Sequence, residues 1–297
     1  MTTGAFLLEP SLAERPWGGT RLGDGIGEAW DLSIHPNGPA RIRSGTHAGR
    51  ELAAVVDERP ADFGGPIDLL AKRLDCARNL SVQVHPREGD PKTEAWVVLD
   101  AEPGAGVYLG FREPVDADEV ARRSLDGSVA DVLEFVELAV GDAVLVPAGT
   151  VHAIGGGLVL FELQQSSDTT YRLFDWGREG RELHLDAGLA CADLGPPPAR
   201  PVAATLDDGA TRLVDCPHFW VDRIGRDLTG PEALLDPRSR WVAVHGVAGQ
   251  ATLDGLVLGP GDTAVVPASA GSTALLAGDG FVGLRYGPGV GDEPHRR

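Results

Sequence analysis

The chain has 297 residues, 42% of them apolar, and a formal net charge of −18. That much chain buries one large core or two smaller ones, at roughly 100 to 200 residues per domain, which excludes a disordered or fibrous protein. The acidic balance and the lack of any Lys/Arg block exclude a nucleic-acid or anionic-membrane surface, since both need clustered positive charge.

From the N-terminus onward, no basic segment precedes an apolar one, and no run approaches the ~18 apolar residues of a membrane span. No export and no membrane association are expected, and the expected location is cytoplasmic. Cys76, Cys191 and Cys216 lie far apart, without a Cys-x-x-Cys spacing, and suggest neither a disulfide framework nor a thiolate metal site. The 40 glycines and 22 prolines are spread along the chain and break it into short elements. Alternating or β-branched runs predict strands over 80–84, 95–99 and 106–111, then helices over 116–124 and 128–135, where apolar residues recur at helical spacing. Further strands are expected over 143–146 and 158–164. The proline-rich stretch 194–201 continues neither a helix nor a central strand and marks a boundary. Strands over 241–245, 255–258, 263–266 and 280–285 follow it. Short strands at this spacing fit barrels or sandwiches.

An internal repeat sharpens the architecture. Gly141-Asp-Ala-Val-Leu-Val-Pro147-Ala-Gly149 recurs as Gly261-Asp-Thr-Ala-Val-Val-Pro267-Ala-Ser269. Two copies of one β-barrel module are therefore expected, in domains 1–195 and 196–297. The first copy runs on to His152, whereas the second has Ser272 at that spacing, so only the first is expected to bind metal there.

The pattern formed by Gly141, Pro147, Gly149 and His152 resembles the second motif of the cupin superfamily. The expected fold is thus all-β dominated, with two cupin-type jelly-roll barrels and a few short helices. Upstream, Gln83 and His85 stand at i and i+2, on one face of a strand. Glu94 opens the next strand, where a hairpin brings it beside His85. With His152 these residues give two imidazoles, one carboxylate and the amide oxygen of Gln83, a donor set suited to Zn²⁺ or another divalent first-row metal. His35, His47, His184, His218, His245 and His295 read as ordinary polar residues.

Several linked segments then resemble one family, type I mannose-6-phosphate isomerase in its short bacterial form. They are Arg15-Pro-Trp-Gly-Gly19, Gly27-Glu-Ala-Trp-Asp-Leu-Ser33, Leu80-Ser-Val-Gln-Val-His-Pro86, Pro91-Lys-Thr-Glu-Ala-Trp96, Gly149-Thr-Val-His-Ala-Ile154 and the run from Leu163 to Trp176. The resemblance is close over residues 10 to 190 and loose beyond. It implies an aldose–ketose isomerase that interconverts mannose 6-phosphate and fructose 6-phosphate through a cis-enediolate, with one zinc ion per chain. It also implies His85, Glu94 and His152 as ligands, with Gln83 completing the shell and Arg172 as the catalytic cation. Glu162, on the strand after His152, is the candidate base. Lys92, one of only two lysines, and Ser81 match the family's substrate-binding residues, and Trp17 is a candidate pocket wall. The segment from His85 to Glu94 is shorter than in many members, and the extra helical domain of the longer forms is missing. Three alternatives stay open: an isomerase of another sugar phosphate, a metal-dependent cupin dioxygenase, and a non-enzymatic sugar-binding cupin. A monomer or homodimer is expected, with a small sugar phosphate as partner.

Overall fold

The computed structural model describes residues 3–225, 232–235 and 240–289; His295 lies outside them. The chain divides into two compact units. One comprises Leu12–Ala29 and Lys72–Arg200, the other Met1–Ser11, Trp30–Ala71 and Pro201–Arg297.

The candidate ligands lie in the first of these units. A six-stranded sheet runs in the order Ala143–Val146, Glu94–Ala101, Leu158–Gln165, Leu69–Cys76, Ile26–Leu32, Ser11–Glu14. A five-stranded sheet runs Tyr171–Phe174, Val82–Val84, His152–Ile154, Gly106–Phe111, Leu133–Glu137. Leu74, Trp96, Val98, Val144, Val146 and Leu160 from the first sheet share one core with Val107, Leu109 and Ile154 from the second. The Leu158–Gln165 strand is buried on both faces over seven of its eight residues, which explains its nearly continuous apolar run.

The outer face of the five-stranded sheet is covered by short helices. Ala117–Asp126 begins at Asp116, whose carboxylate accepts the Glu119 N–H at 2.8 Å, and stops at the left-handed Gly127 (φ 86°). Val120, and Leu185 and Leu189 of the Leu185–Cys191 helix, pack with Val82, Val84, Phe111 and Leu173. The second helix expected over 128–135 does not form. In its place stand one 3-10 turn, Val129–Val132, and the strand Leu133–Glu137. The physical reason is tertiary pairing: Leu133, Phe135, Val136 and Glu137 pair across the sheet with Phe111, Tyr108, Val107 and Gly106.

The other unit is built on an eight-stranded sheet, Ala204–Thr205, Thr211–Asp215, Phe219–Gly225, Val282–Pro288, Val242–Ala248, Thr263–Val266, Phe6–Glu9, Arg41–Ile42. A four-stranded sheet, Glu232–Leu235, Thr273–Ala277, Ala251–Leu253, Leu256–Leu258, closes its core against Ile224, Val244 and Phe281. Phe6–Glu9 pairs with Thr263–Val266, so the first residues of the chain cover an edge that would otherwise carry unpaired backbone groups. Residues 1–11 and 30–71 group with this unit and residues 12–29 with the other, where the sequence placed them all in a first domain ending at 195.

The repeat has a structural counterpart in strand pairing. In the first copy Glu94 pairs with Val146, and Trp96 pairs with Val144 and Glu162. In the second, Val242 pairs with Val266, and Val244 pairs with Ala264 and Arg285. Val242 thus stands where the first copy has Glu94, and Arg285 where it has Glu162. Arg285 is neutralised by Asp222 and Asp208, each at 2.8 Å.

Candidate metal centre

Three strand positions bring the polar groups together. Glu94 is the first residue of its strand, His152 is the first of His152–Ile154, and His85 follows Val82–Val84 directly. His152 pairs with Gln83 on one side and Leu109 on the other, and Gln83 pairs in turn with Arg172. Residues paired across antiparallel strands share a face, so Arg172, Gln83 and His152 form one row on the five-stranded sheet. Glu94 and Glu162 share a face of the six-stranded sheet by the same rule, through Trp96. Among the described residues, His85, Glu94 and His152 form the one group of three metal-competent side chains, with ligand atoms all within 4.8 Å of one another.

Their hydrogen bonds define what this group can do. His85 Nδ1 faces the Thr169 carbonyl and His152 Nδ1 the Thr150 carbonyl, each at 2.9 Å. A carbonyl only accepts, so each Nδ1 carries the proton and each Nε2 presents a lone pair. His85 Nε2 then stands 3.3 Å from Glu94 Oε2, and His152 Nε2 stands 3.2 Å from Glu94 Oε1. Lone pair opposes lone pair twice, and all three residues are 1% exposed. Such an arrangement is repulsive alone; the Lys92 ammonium relieves it on the His85 side, and a metal cation shared among the three groups would relieve both. Burial, and after it the Lys92 ammonium, pulls the His85 imidazole down to about 4, so it is neutral near pH 7 and open to a metal. Burial alone would raise the Glu94 carboxyl, but Lys92 and then His85 outweigh it and hold Glu94 well below the usual carboxylate range. The donor set therefore fits a divalent ion such as zinc.

The remaining expected residues fall at different distances from this group. Lys92 is buried, with Nζ 2.7 Å from Glu94 Oε2 and 3.3 Å from His85 Nε2. Gln83 turns its amide nitrogen to His152 Nε2 at 3.3 Å, while its oxygen accepts from the Ser81 hydroxyl at 2.9 Å. A half-turn of the amide would put the oxygen on the His152 Nε2 side instead. Glu162 accepts the Trp96 indole N–H at 3.1 Å, and burial followed by the Glu94 charge raises its carboxyl. Arg172 is half-buried and donates to the Glu182 carbonyl at 2.8 Å, outside hydrogen-bond reach of the three. Trp17 is 4% exposed and packs in the core with Leu74 and Trp96.

Other charges nearby were not singled out by sequence reasoning. Lys72 is buried between Glu162 at 3.7 Å and Glu28 at 4.0 Å, and Glu28 is also paired with Arg15 at 2.9 Å. Lys72 is the chain's other lysine, and that rarity was the available signal. Arg178 and Arg181 both pair with Asp175, at 2.5 and 3.2 Å. Burial, then the Arg181 charge, lowers the Arg172 guanidinium.

No protein-family model matches the chain. Individual proteins do. Mannose-6-phosphate isomerase ManA of Bacillus subtilis is 34% identical over 252 residues, which span 75% of this chain and 80% of that protein. The mannose-6-phosphate isomerase of Streptococcus mutans is 34% identical over 244 residues, 73% of this chain and 77% of its own. The crystal structure of the mannose 6-phosphate isomerase from Bacillus subtilis matches with a TM-score of 0.85 at 26% identity, covering 96% of this chain and 100% of that one. A zinc-bound mannose 6-phosphate isomerase matches in fold, with a TM-score of 0.76 at 18% identity over 96% of this chain and 99% of that one.

Proposed function

The chain belongs to the mannose-6-phosphate isomerase family, and on that premise we propose that it interconverts mannose 6-phosphate and fructose 6-phosphate with the aid of zinc. The observation that carries this reading is the pair of opposed lone pairs between Glu94 and the two imidazoles. His85, Glu94 and His152 hold the metal, with Gln83 as fourth ligand once its amide oxygen faces inward. When bound, zinc supplies positive charge beside the oxygens that become negative as a proton moves between C1 and C2.

The chain's own groups supply the rest. Glu162 takes the proton from one carbon and returns it to the other. Burial raises its carboxyl, which makes it a stronger base than a solvated carboxylate, and the Trp96 indole fixes its direction. Arg172 balances the negative charge of the cis-enediolate with a cation that does not titrate. Lys92 and Ser81 bind substrate oxygens. The excess of guanidinium over carboxylate around Asp175 favours a phosphorylated substrate over a neutral one. Trp17 supports the site from the core beneath it. Sugar phosphates are kept inside cells by their charge, so the matching setting is a cytoplasmic enzyme of carbohydrate metabolism, monomeric or homodimeric.

The test compares mannose 6-phosphate with free mannose on the purified, zinc-loaded protein. Turnover of the phosphate at a kcat/KM at least about 10³-fold above that of mannose is expected, the loss of a charge-assisted anion contact being worth several kcal/mol. Equal rates would contradict the assignment of a sugar phosphate as substrate.

A further inference from the structure

The short loop of residues 86–93 joins His85 to Glu94, and its residues Arg87 to Asp90 are exposed. Two of those exposed charges nevertheless reach back into the backbone groups that orient the imidazoles. Asp90 Oδ2 accepts from the Ser167 hydroxyl at 2.8 Å and from the Thr169 hydroxyl at 2.6 Å. The Thr169 carbonyl is the group that receives the His85 Nδ1 proton. On the other side, Arg87 is ion-paired with Asp193 and donates to the Cys191 carbonyl at 3.2 Å. Its guanidinium lies so close over Gly149 (φ 89°) that a Cβ there would overlap it. Gly149 donates to the His85 carbonyl at 2.9 Å and accepts the Asp193 N–H at 2.7 Å. Thr150, bridged to Asp193, offers the carbonyl that receives the His152 Nδ1 proton.

We propose that Arg87 and Asp90 are positioning residues for the metal, one locking the Gly149–Thr150 turn behind His152 and the other locking Thr169 behind His85. The inference rests on the metal reading given above and deepens it. A single loop thereby ties the two imidazole-bearing segments, some 67 positions apart in sequence, to a common geometry. Neither side chain touches the ligands. Their effect passes through two carbonyls that fix the ring tautomers, the kind of outer contact that tunes a metal site without coordinating it.

The experiment measures zinc affinity by competition with a chromophoric chelator, on the full chain, for the wild type, Arg87→Ala, Asp90→Asn and the double variant. Glu88→Gln, exposed in the same loop, serves as control. Each single variant is expected to bind zinc about 10- to 100-fold more weakly, as outer-contact losses do. The unfolding midpoint of the zinc-free variants should stay within a few degrees of wild type, and kcat should return once zinc is saturating. Glu88→Gln should match the wild type. Should Arg87→Ala fail to fold, Asp90→Asn, which keeps the side chain's shape while removing the charge and turning one acceptor oxygen into a donor, decides alone. Wild-type zinc affinity in the variants, beside a zinc-binding wild type, overturns this inference alone. A wild-type chain that takes up no zinc overturns the metal reading and this inference with it.

Discussion

Two imidazoles whose Nδ1 atoms are both committed to carbonyls turn their Nε2 lone pairs toward Glu94, where a shared cation would be the partner common to all three groups. His152→Ala should therefore lose zinc and activity together, as read by metal analysis of the dialysed protein; stoichiometric zinc in that variant would refute the ligand assignment. Arg172 stands in the row of Gln83 and His152 without bonding to either, so Arg172→Ala should keep zinc while kcat falls by about 10² or more. Undiminished turnover would mean that another of the nearby guanidiniums carries the charge. The residue types and spacings of the metal group were legible in the sequence because strand period and a fixed motif determine them. The tautomers were not, because Thr150 and Thr169 act through backbone carbonyls that any residue could provide. The ion pairs of Lys72 with Glu28 and Glu162 were also invisible, although the rarity of lysine marked Lys72 itself, since that pairing is set by strand packing across long sequence separations.

Among the elements, strands with continuous apolar runs or strict alternation were readable, and Ala143–Val146 and Thr263–Val266 occupy the predicted residues. The segment 128–135 deceived because Val129, Val132 and Phe135 fall at helical spacing. Tertiary pairing with Gly106–Phe111 overrode that local pattern. The pairing of Phe6–Glu9 with Thr263–Val266 joins residues more than 250 positions apart, beyond the reach of any local signal. The repeat was legible as a repeat, but more than Ser272 separates the second copy from the first. Val242 replaces the carboxylate, and Arg285 with Asp222 fills the place corresponding to Glu162. Ser272→His should accordingly leave zinc at one ion per chain. A second bound ion in that variant would show that Val242 and Arg285 are not what closes this barrel to metal.

In the molecule as a whole, a chain of net charge −18 pairs two arginines with Asp175 and keeps both of its lysines among buried carboxylates. Among the described residues no helix is long and apolar enough to cross a membrane. The paired sheets supply a rigid frame in which ligands from three strands meet. In the proposed reaction, metal held by His85, Glu94 and His152 enables a sugar-phosphate isomerisation. The most direct test is a coupled assay of mannose 6-phosphate to fructose 6-phosphate conversion, run on the purified chain before chelation, after chelation, and after zinc is added back. Turnover that disappears with chelator and returns with zinc is the predicted result. Turnover that survives complete removal of the metal, or that zinc-loaded protein never shows, would contradict it.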